Sequence, residues 1–348
     1  MSQQAAGTTI EKEEIERIFQ GFAIAAEKQI STNLPKPKKK VIVIAGPTAC
    51  GKSDFAMKLA KEINGEIISA DSMQIYRGMD VGSAKASKKE REEIPHHLID
   101  IRDVKDTFNV VDFYYEARTC CQQILARGAV PIFVGGSGFY LHSLVYGPPS
   151  GPPSVPEVRK QLEEEMERMG PEAMYMRLQK EDPIYANSIS KNDRQKIIRA
   201  FEIIRLTGKS VSKMAWKGRR KPQNYDFRCW FLYRPREQIY HRIEKRCDKM
   251  ITEGFLDEVQ ALEAQGIRLN TSASQAIGYR QALEYLQSPQ TRQDYEHFMT
   301  AFKQASRNYA KRQLTWFRNE PLFRWLDMDL HDTEVAMDMV IQDYQASL

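Results

Sequence analysis

The sequence predicts an α/β fold: a parallel sheet with helices on both faces, carrying an inserted all-helical domain. Three observations predict it. Residues 41–45 (VIVIA) form a continuous apolar run of the kind that fills a buried parallel strand, and a glycine-rich turn and a helical pattern follow. Strand-like runs then alternate with helical ones, which builds parallel sheets covered on both faces. The alternation stops at residues 147–156 (GPPSGPPSVP), which cannot continue a helix or a central strand.

Each segment has its own pattern. Residues 1–38 combine a short helical pattern (Ile10, Ile15, Ile18, Phe19, Phe22) with STNLPKPKKK, an amphipathic extension and a stiff basic linker. Residues 39–154 are the first part of the core, with strands expected at 41–45, 66–70, 97–101 and 130–134 and a helix at 54–63. Residues 155–225 read as a helical insertion, with helices at 157–169, 171–180, 191–207 and 210–216. FRCWFLY at residues 227–233 returns the chain to the sheet, so 226–330 is the second part of the core and is mostly helical, and 331–348 is a C-terminal helix or tail.

Composition narrows the class. The 348 residues are 42% hydrophobic and 28% charged, enough to bury a core and ordinary for a soluble protein. No apolar run approaches the roughly 18 residues of a membrane span, and the polar N-terminus lacks a signal core. Cys50, Cys120, Cys121, Cys229 and Cys247 form no CxxC pair, and an odd number argues against a disulfide framework. A reduced cytoplasm and no membrane are expected.

Net charge is only +5, with 51 Lys+Arg against 46 Asp+Glu, but it is unevenly spread. Residues 155–190 hold five Lys/Arg and eight Asp/Glu, whereas residues 191–221 hold eleven and two, a local +9. That stretch is a candidate polyanion surface, with Lys196, Arg199 and Lys213 for phosphates and Trp216 and Tyr225 for stacking. Lys303, Arg307 and Lys311, spaced at i, i+4 and i+8, form a second basic stripe, followed by Arg312 and Arg318.

Gly46, Pro47, Thr48, Ala49, Cys50, Gly51, Lys52 and Ser53 match G-x-x-x-x-G-K-S between a strand and a helix, which makes the fold P-loop NTPase-like. Backbone N–H groups and Lys52 can cradle phosphates, the Ser53 hydroxyl can hold Mg2+, and the helix N-terminus adds its positive dipole end. Cys50 reads as a small filler residue rather than a redox switch. The second strand ends in Ser69-Ala70-Asp71, whose carboxylate can serve as general base or hold a metal; the competing reading is a turn cap. The fourth strand ends at Gly135-Gly136-Ser137, a hydroxyl at the same rim. His96 and His97 read as structural.

GPTACGKS, ADSMQIYRGMDVGSAKAS, IPHHLIDI, GGSGFYLHSL, RAFEIIRLTGKS, SQAIGYRQ and ASRNYAKRQLTWFR stand in one order. In that order the chain resembles bacterial tRNA dimethylallyltransferases, also called tRNA isopentenyltransferases, over about residues 40–325. The resemblance implies transfer of a dimethylallyl group from dimethylallyl diphosphate to N6 of the adenosine 3′-adjacent to the anticodon, with the cradle holding the donor's diphosphate and Mg2+. It implies catalytic roles for Asp71 as base, for Thr48 and Ser137 as hydroxyls near donor and acceptor, and for Arg246 at the diphosphate, with Arg242 the competing choice. It also implies contacts to the tRNA anticodon stem-loop at Asp71, Ser72, Met73, Gln74 and Ser137. Others fall at Arg159, Gln195, Lys196, Ile197, Ile198 and Arg199, at Gln275, Gly278, Tyr279 and Arg280, and at Lys303, Arg307 and Lys311. A monomer is expected. The competing functions are a nucleotide kinase with Arg194 or Arg220 as lid arginine, an RNA-binding NTPase with ATP in the cradle, and an isopentenyltransferase acting on free adenine nucleotides.

Overall fold

The computed structural model describes residues 39–149, 151–214 and 225–346. The expectations for residues 1–38, and for Trp216 and Arg220, lie outside them. Strands β1 (Lys39–Ala45), β2 (Gly65–Ser69), β3 (His96–His97), β4 (Val130–Gly135), β5 (Tyr225–Tyr233) and β6 (Arg324–Asp327) form one sheet in the order β3-β2-β4-β1-β5-β6. The pairs β1–β4, β2–β3, β2–β4 and β5–β6 run parallel. Val41 to Ala45 are fully buried, as a central strand covered on both faces must be.

Before the insertion come α1 (Lys52–Glu62), α2 (Lys88–Glu93), α3 (Val110–Ala126) and α4 (Gly138–Tyr146). The insertion holds α5 (Pro156–Met169), α6 (Pro171–Glu181), α7 (Pro183–Ala186) and α8 (Arg194–Thr207). After β5 come α9 (Arg236–Thr252), α10 (Phe255–Ala264), α11 (Thr271–Ser274), α12 (Tyr279–Leu286), α13 (Arg292–Phe317) and α14 (Thr333–Gln345). Prolines open α5, α6 and α7, where the missing N–H costs nothing. Gly208, at φ 66°, ends α8 in the left-handed conformation. The insertion buries its own apolar cluster, including Leu162, Met166, Leu178, Ile197 and Phe201, apart from the sheet's core.

Several expectations change. The strand expected at 97–101 shrinks to His96–His97, because Leu98 and Asp100 adopt positive φ of 61° and 56° and break the extended run. The helix expected at 210–216 appears among the described residues only as a 3-10 turn, Val211–Lys213. β6 was not expected; its RWLD is half exposed and too short to carry a period. It pairs with β5 and is tied with α14 by Asp343, which accepts from Arg228 Nη1 (2.9 Å) and Trp230 Nε1 (3.2 Å) and also pairs with Arg324. No helix among the described residues is long and apolar enough to cross a membrane.

Registers place the site. Ala45 stands opposite Gly135 and Ser69 opposite Val134, so the carboxyl ends of β1, β4 and β2 lie side by side. The phosphate loop, Ser137 and Asp71 each follow one of these ends, where open α/β sheets gather their ligands.

Candidate active site

The phosphate loop is held from outside by cations. Gly51 takes φ 100° before α1, and Lys52 Nζ donates to the Pro47 carbonyl at 2.9 Å. Arg246 Nη1 donates to Thr48 Oγ1 (3.0 Å), Arg242 Nε to the Ala49 carbonyl (2.7 Å) and Arg234 Nε to the Cys50 carbonyl (3.1 Å). Both sequence candidates therefore reach the loop, Arg246 from a cavity wall and Arg242 from the exposed outer side. Burial pulls the Arg246 pKa below the ordinary arginine value, and the charge of Asp71 pulls it back. Cys50 is fully buried against Gly46, as a filler should be.

The opposite wall is the Asp71 turn. Asp71 Oδ1 accepts the Met73 N–H at 2.8 Å, and Asp71 lines the cavity. One carboxylate thus caps the turn and also borders the cavity. Ser137 Oγ accepts the Ser72 N–H at 3.3 Å, joining the β2 and β4 ends. Gln74 instead faces inward, accepting from Ser69 Oγ (2.8 Å), so it supports the turn. Farther along, Glu258 accepts the backbone N–H groups of Asp80 (2.9 Å), Val81 (2.6 Å) and Gly82 (3.1 Å) and the Tyr279 hydroxyl (2.7 Å).

Two residues that sequence reasoning passed over complete the site. Gln313 Oε1 accepts the Thr48 N–H at 2.8 Å, and its Nε2 donates to the Gly136 carbonyl at 3.0 Å. A Cβ on Gly136 would lie 2.1 Å from that Nε2, so only glycine admits the amide. Tyr309, one turn earlier on α13, lines the same cavity close to Ser137 and Gln313. Burial and the Asp71 charge raise its pKa, which keeps the phenol neutral. The available signal was periodic: Gln313 falls on the buried α13 stripe of Phe302, Ser306, Ala310 and Phe317, and a polar residue on such a stripe needs partners.

Replacing Gln313 with Ala leaves the Thr48 N–H and the Gly136 carbonyl without partners in a buried site. The expected loss is about 2 kcal/mol in denaturant-measured stability, at about 1–3 kcal/mol per orphaned group with partial relaxation. The dissociation constant for added inorganic diphosphate should rise about tenfold in the same variant, an estimate from the same loss partitioned onto the loop. A variant as stable as the parent, with an unchanged constant, removes Gln313 from this role.

These groups surround a cavity of about 310 Å3, lined by Thr48, Asp71, Ser72, Met73, Arg246, Tyr279 and Tyr309 among others. A second cavity, about 460 Å3, is lined by Arg280, Gln304 and Asn308 and shares Gln275, Ile277 and Arg312 with the first. The two therefore meet at those three side chains.

The expected RNA contacts divide. Ile197 and Ile198 are 0% and 5% exposed in the core of the insertion, so they cannot touch a polyanion; their place on α8's apolar face decides this. Arg199 is committed to Glu202 (2.6 Å) and the Pro152 carbonyl (2.5 Å), clamping the entry to the insertion. Tyr225 is buried on β5 with the Arg118 guanidinium 4.6 Å from its ring centre, so it offers no stacking face. Gln195, Lys196 and Lys213 are exposed, with Lys196 beside Asp193 at 3.1 Å, and Arg159 pairs with Glu163 at 3.0 Å. Gln275 and Arg280 face the second cavity, while Gly278 and Tyr279 pack inward against Phe302 and Glu258. Lys303 and Arg307 pair with Asp248 (2.6 Å) and Glu244 (2.7 Å) of α9, leaving Lys311 exposed without an ion pair among the described residues.

The local +9 is also smaller in space than in sequence. Lys191, Arg194 and Arg205 pair with Glu172, Glu167 and Glu165, from the acidic half of the insertion.

For a metal, no group of three or more His, Cys, Asp or Glu side chains is placed to hold one among the described residues. Ser53 is exposed at the start of α1 with no hydrogen bond recorded for its hydroxyl among the described residues. That donor set fits an ion carried mainly by phosphate oxygens and water, which is the habit of Mg2+.

Known proteins resemble the chain along nearly its whole length. The IPP transferase family matches residues 74–320. A tRNA dimethylallyltransferase of Protochlamydia amoebophila (strain UWE25) is 65% identical over 335 residues, 96% of this chain and 97% of that protein. One of Chlamydia pneumoniae is 48% identical over 308 residues, covering 88% and 90%. Among solved structures, the full-length tRNA isopentenylpyrophosphate transferase of Bacillus halodurans superposes with a TM-score of 0.65 at 38% identity, covering 88% of this chain and 97% of its own. A eukaryotic dimethylallyltransferase acting on tRNA superposes with a TM-score of 0.71 at 30% identity, covering 87% and 79%. The family match begins at Gln74 and so leaves out the phosphate loop and Asp71, but the longer relatives extend over both, and the chain belongs to the IPP transferase family.

Proposed function

We propose that this enzyme transfers a dimethylallyl group from dimethylallyl diphosphate to N6 of the adenosine 3′-adjacent to the anticodon of tRNA, acting as a monomer in the cytoplasm. One observation carries the reading. The cavity beside the phosphate loop holds Asp71 and Arg246, and it meets a second cavity at Gln275, Ile277 and Arg312. A donor seated by its diphosphate and a base entering from the other side would meet there. The names of the relatives accord with this reading, and five free cysteines accord with a reduced compartment.

In the reaction, the allylic C1–O bond breaks, its electron pair leaves with the diphosphate, and N6 bonds to C1. Lys52, Arg246 and the loop N–H groups would meet the negative charge as it gathers and so stabilise the leaving group. Arg246 would release Thr48, and Lys52 the Pro47 carbonyl, to meet it. The adenine amine is a poor nucleophile, and Asp71 accepts its proton as the new bond forms. The Ser53 hydroxyl would help to hold a Mg2+ ion, whose chemistry there would be to neutralise charge on the departing group. A base in an anticodon loop must leave its stack to reach Asp71, and the Asp71–Ser72–Met73 turn with Ser137 forms the wall against which it would lie.

The deciding experiment incubates the enzyme with labelled dimethylallyl diphosphate, Mg2+ and either tRNA, AMP or ATP. Label is expected in tRNA alone. Incorporation into AMP would favour the free-nucleotide reaction, and phosphate release from ATP on RNA addition would favour an NTPase.

Salt dependence tests the basic surfaces. With many cations already paired, about four to six phosphate contacts remain, and the slope of log affinity against log salt should be about −3 to −5. Filter binding should show affinity falling about 10²–10³-fold between about 50 and 200 mM salt. A nearly flat profile would remove RNA from this surface.

A further inference from the structure

At the rim of the site, two large aromatic rings face solvent where the mechanism so far gives them no task. Trp316 and Phe139 are 41% and 42% exposed, with ring centres 6.3 Å apart and planes at 69°. We propose that they form a stacking platform for an unpaired RNA base flanking the reacting adenosine. The proposal rests on the tRNA reading above and names a contact that reading does not contain.

Position is the first argument. Phe139 is the second residue of α4, immediately after Gly138 and the Ser137 hydroxyl that bridges to Ser72. Trp316 lies four residues beyond Arg312 on α13, hence on the same helical face, and Arg312 lines both cavities. A base drawn inward past Arg312 leaves its neighbours in the chain beside this face.

The second argument is that the indole is held from below while its outer side stays open. A Cβ on Gly138 would lie 2.4 Å from Trp316 Cδ1, so the ring rests directly on the backbone of α4's first turn. The His142 ring meets it edge-on at 6.5 Å and 86°, and His142 Nδ1 is itself 2.9 Å from buried Glu320 Oε1. A ring immobilised in this way loses little freedom when a base stacks on it.

Charge is the third. Residues 297–319 hold five Lys/Arg and no Asp or Glu. Two of the five, Lys303 and Arg307, pair with α9. Lys311, Arg312 and Arg318 remain exposed, without ion pairs among the described residues, and Arg312 lies one turn before Trp316 on the same face. Aromatic faces edged by free cations suit single-stranded nucleic acid, because rings take the bases and cations take the backbone. An apolar protein partner would not call for that edge.

The test uses the full-length enzyme, wild type and Trp316→Ala, Trp316→Phe and Phe139→Ala, with an anticodon stem-loop RNA carrying 2-aminopurine on either side of the target adenosine. On the order of 10- to 100-fold weaker RNA binding is expected for Trp316→Ala, the scale of one base–ring stack. Turnover at saturating RNA and the donor Michaelis constant should stay within a few-fold. Trp316→Phe should recover part of the loss, which a mere packing defect would not predict, and Phe139→Ala should weaken binding less. Quenching of 2-aminopurine at one flanking position by wild type, lost in Trp316→Ala, supports the platform. No quenching at either position, or unchanged RNA affinity in both alanine variants, overturns it. So does a concentration-dependent dimer that Trp316→Ala abolishes without any RNA effect. Because binding and quenching are read without turnover, the platform stands or falls even if no prenyl transfer is seen, an outcome that would instead defeat the proposed function.

Discussion

Asp71→Asn should lower the rate of prenyl transfer at saturating substrates by about 10²–10⁴-fold, the range that general base catalysis supplies. The substitution keeps an oxygen in place of Oδ1, so the hydrogen bond from the Met73 N–H at 2.8 Å can survive. The turn therefore holds its shape while the proton acceptor is lost. Asp71→Ala removes both functions and should be equally inactive, and additionally less stable by about 0.5–1.5 kcal/mol for the missing bond. Single-turnover transfer and stem-loop binding separate the effects. Near-normal transfer by the Asn variant would leave Asp71 with only its structural task. Equal stability of the Ala variant would show instead that the cap contributes nothing.

Lys52→Ala should reduce the single-turnover rate by about 10²–10³-fold, comparable to removal of one donor from a preorganised anion site. Inhibition by added diphosphate should weaken in parallel, because the same ammonium meets substrate and product, while stem-loop affinity stays within a few-fold. The Lys52 Nζ contact to the Pro47 carbonyl, 2.9 Å, is a single charge-assisted hydrogen bond worth about 1.5–3 kcal/mol, and Arg242 and Arg234 also hold the loop, so the folded loop should outlast its loss. Unchanged diphosphate inhibition in this variant would mean that the loop holds some other ligand.

The two predictions differ in how far their residues were legible. The phosphate loop was readable because strand, turn and helix are contiguous: an apolar run, glycines in a fixed spacing and a helical period occupy about twenty residues. Asp71 and Ser137 were readable as strand-end residues, and the parallel registers Ala45 to Gly135 and Ser69 to Val134 bring them to the loop. Gln313 was not, although its motif was quoted. It is 265 residues from Thr48, and only the packing of α13 across the strand ends brings the two together. Glu258 is hidden in the same way, 178 residues from the turn it holds.

The charge reading shows the limit most clearly. A sum along the chain finds eleven cations against two acids in residues 191–221, yet Glu165, Glu167 and Glu172 fold back onto that stretch. Tyr225 and Ile197 fail as contacts for a related reason: residue type suggested the role, and burial removed the surface.

By itself, the sequence determined where the phosphate-loop pattern and most of the strands stand along the chain, because each is encoded in neighbouring residues. Only the tertiary structure decided which arginines grip the loop, which cations are free and which aromatic rings face solvent. Ion pairing and burial depend on distances in space between segments far apart in the chain, and no local pattern carries those distances.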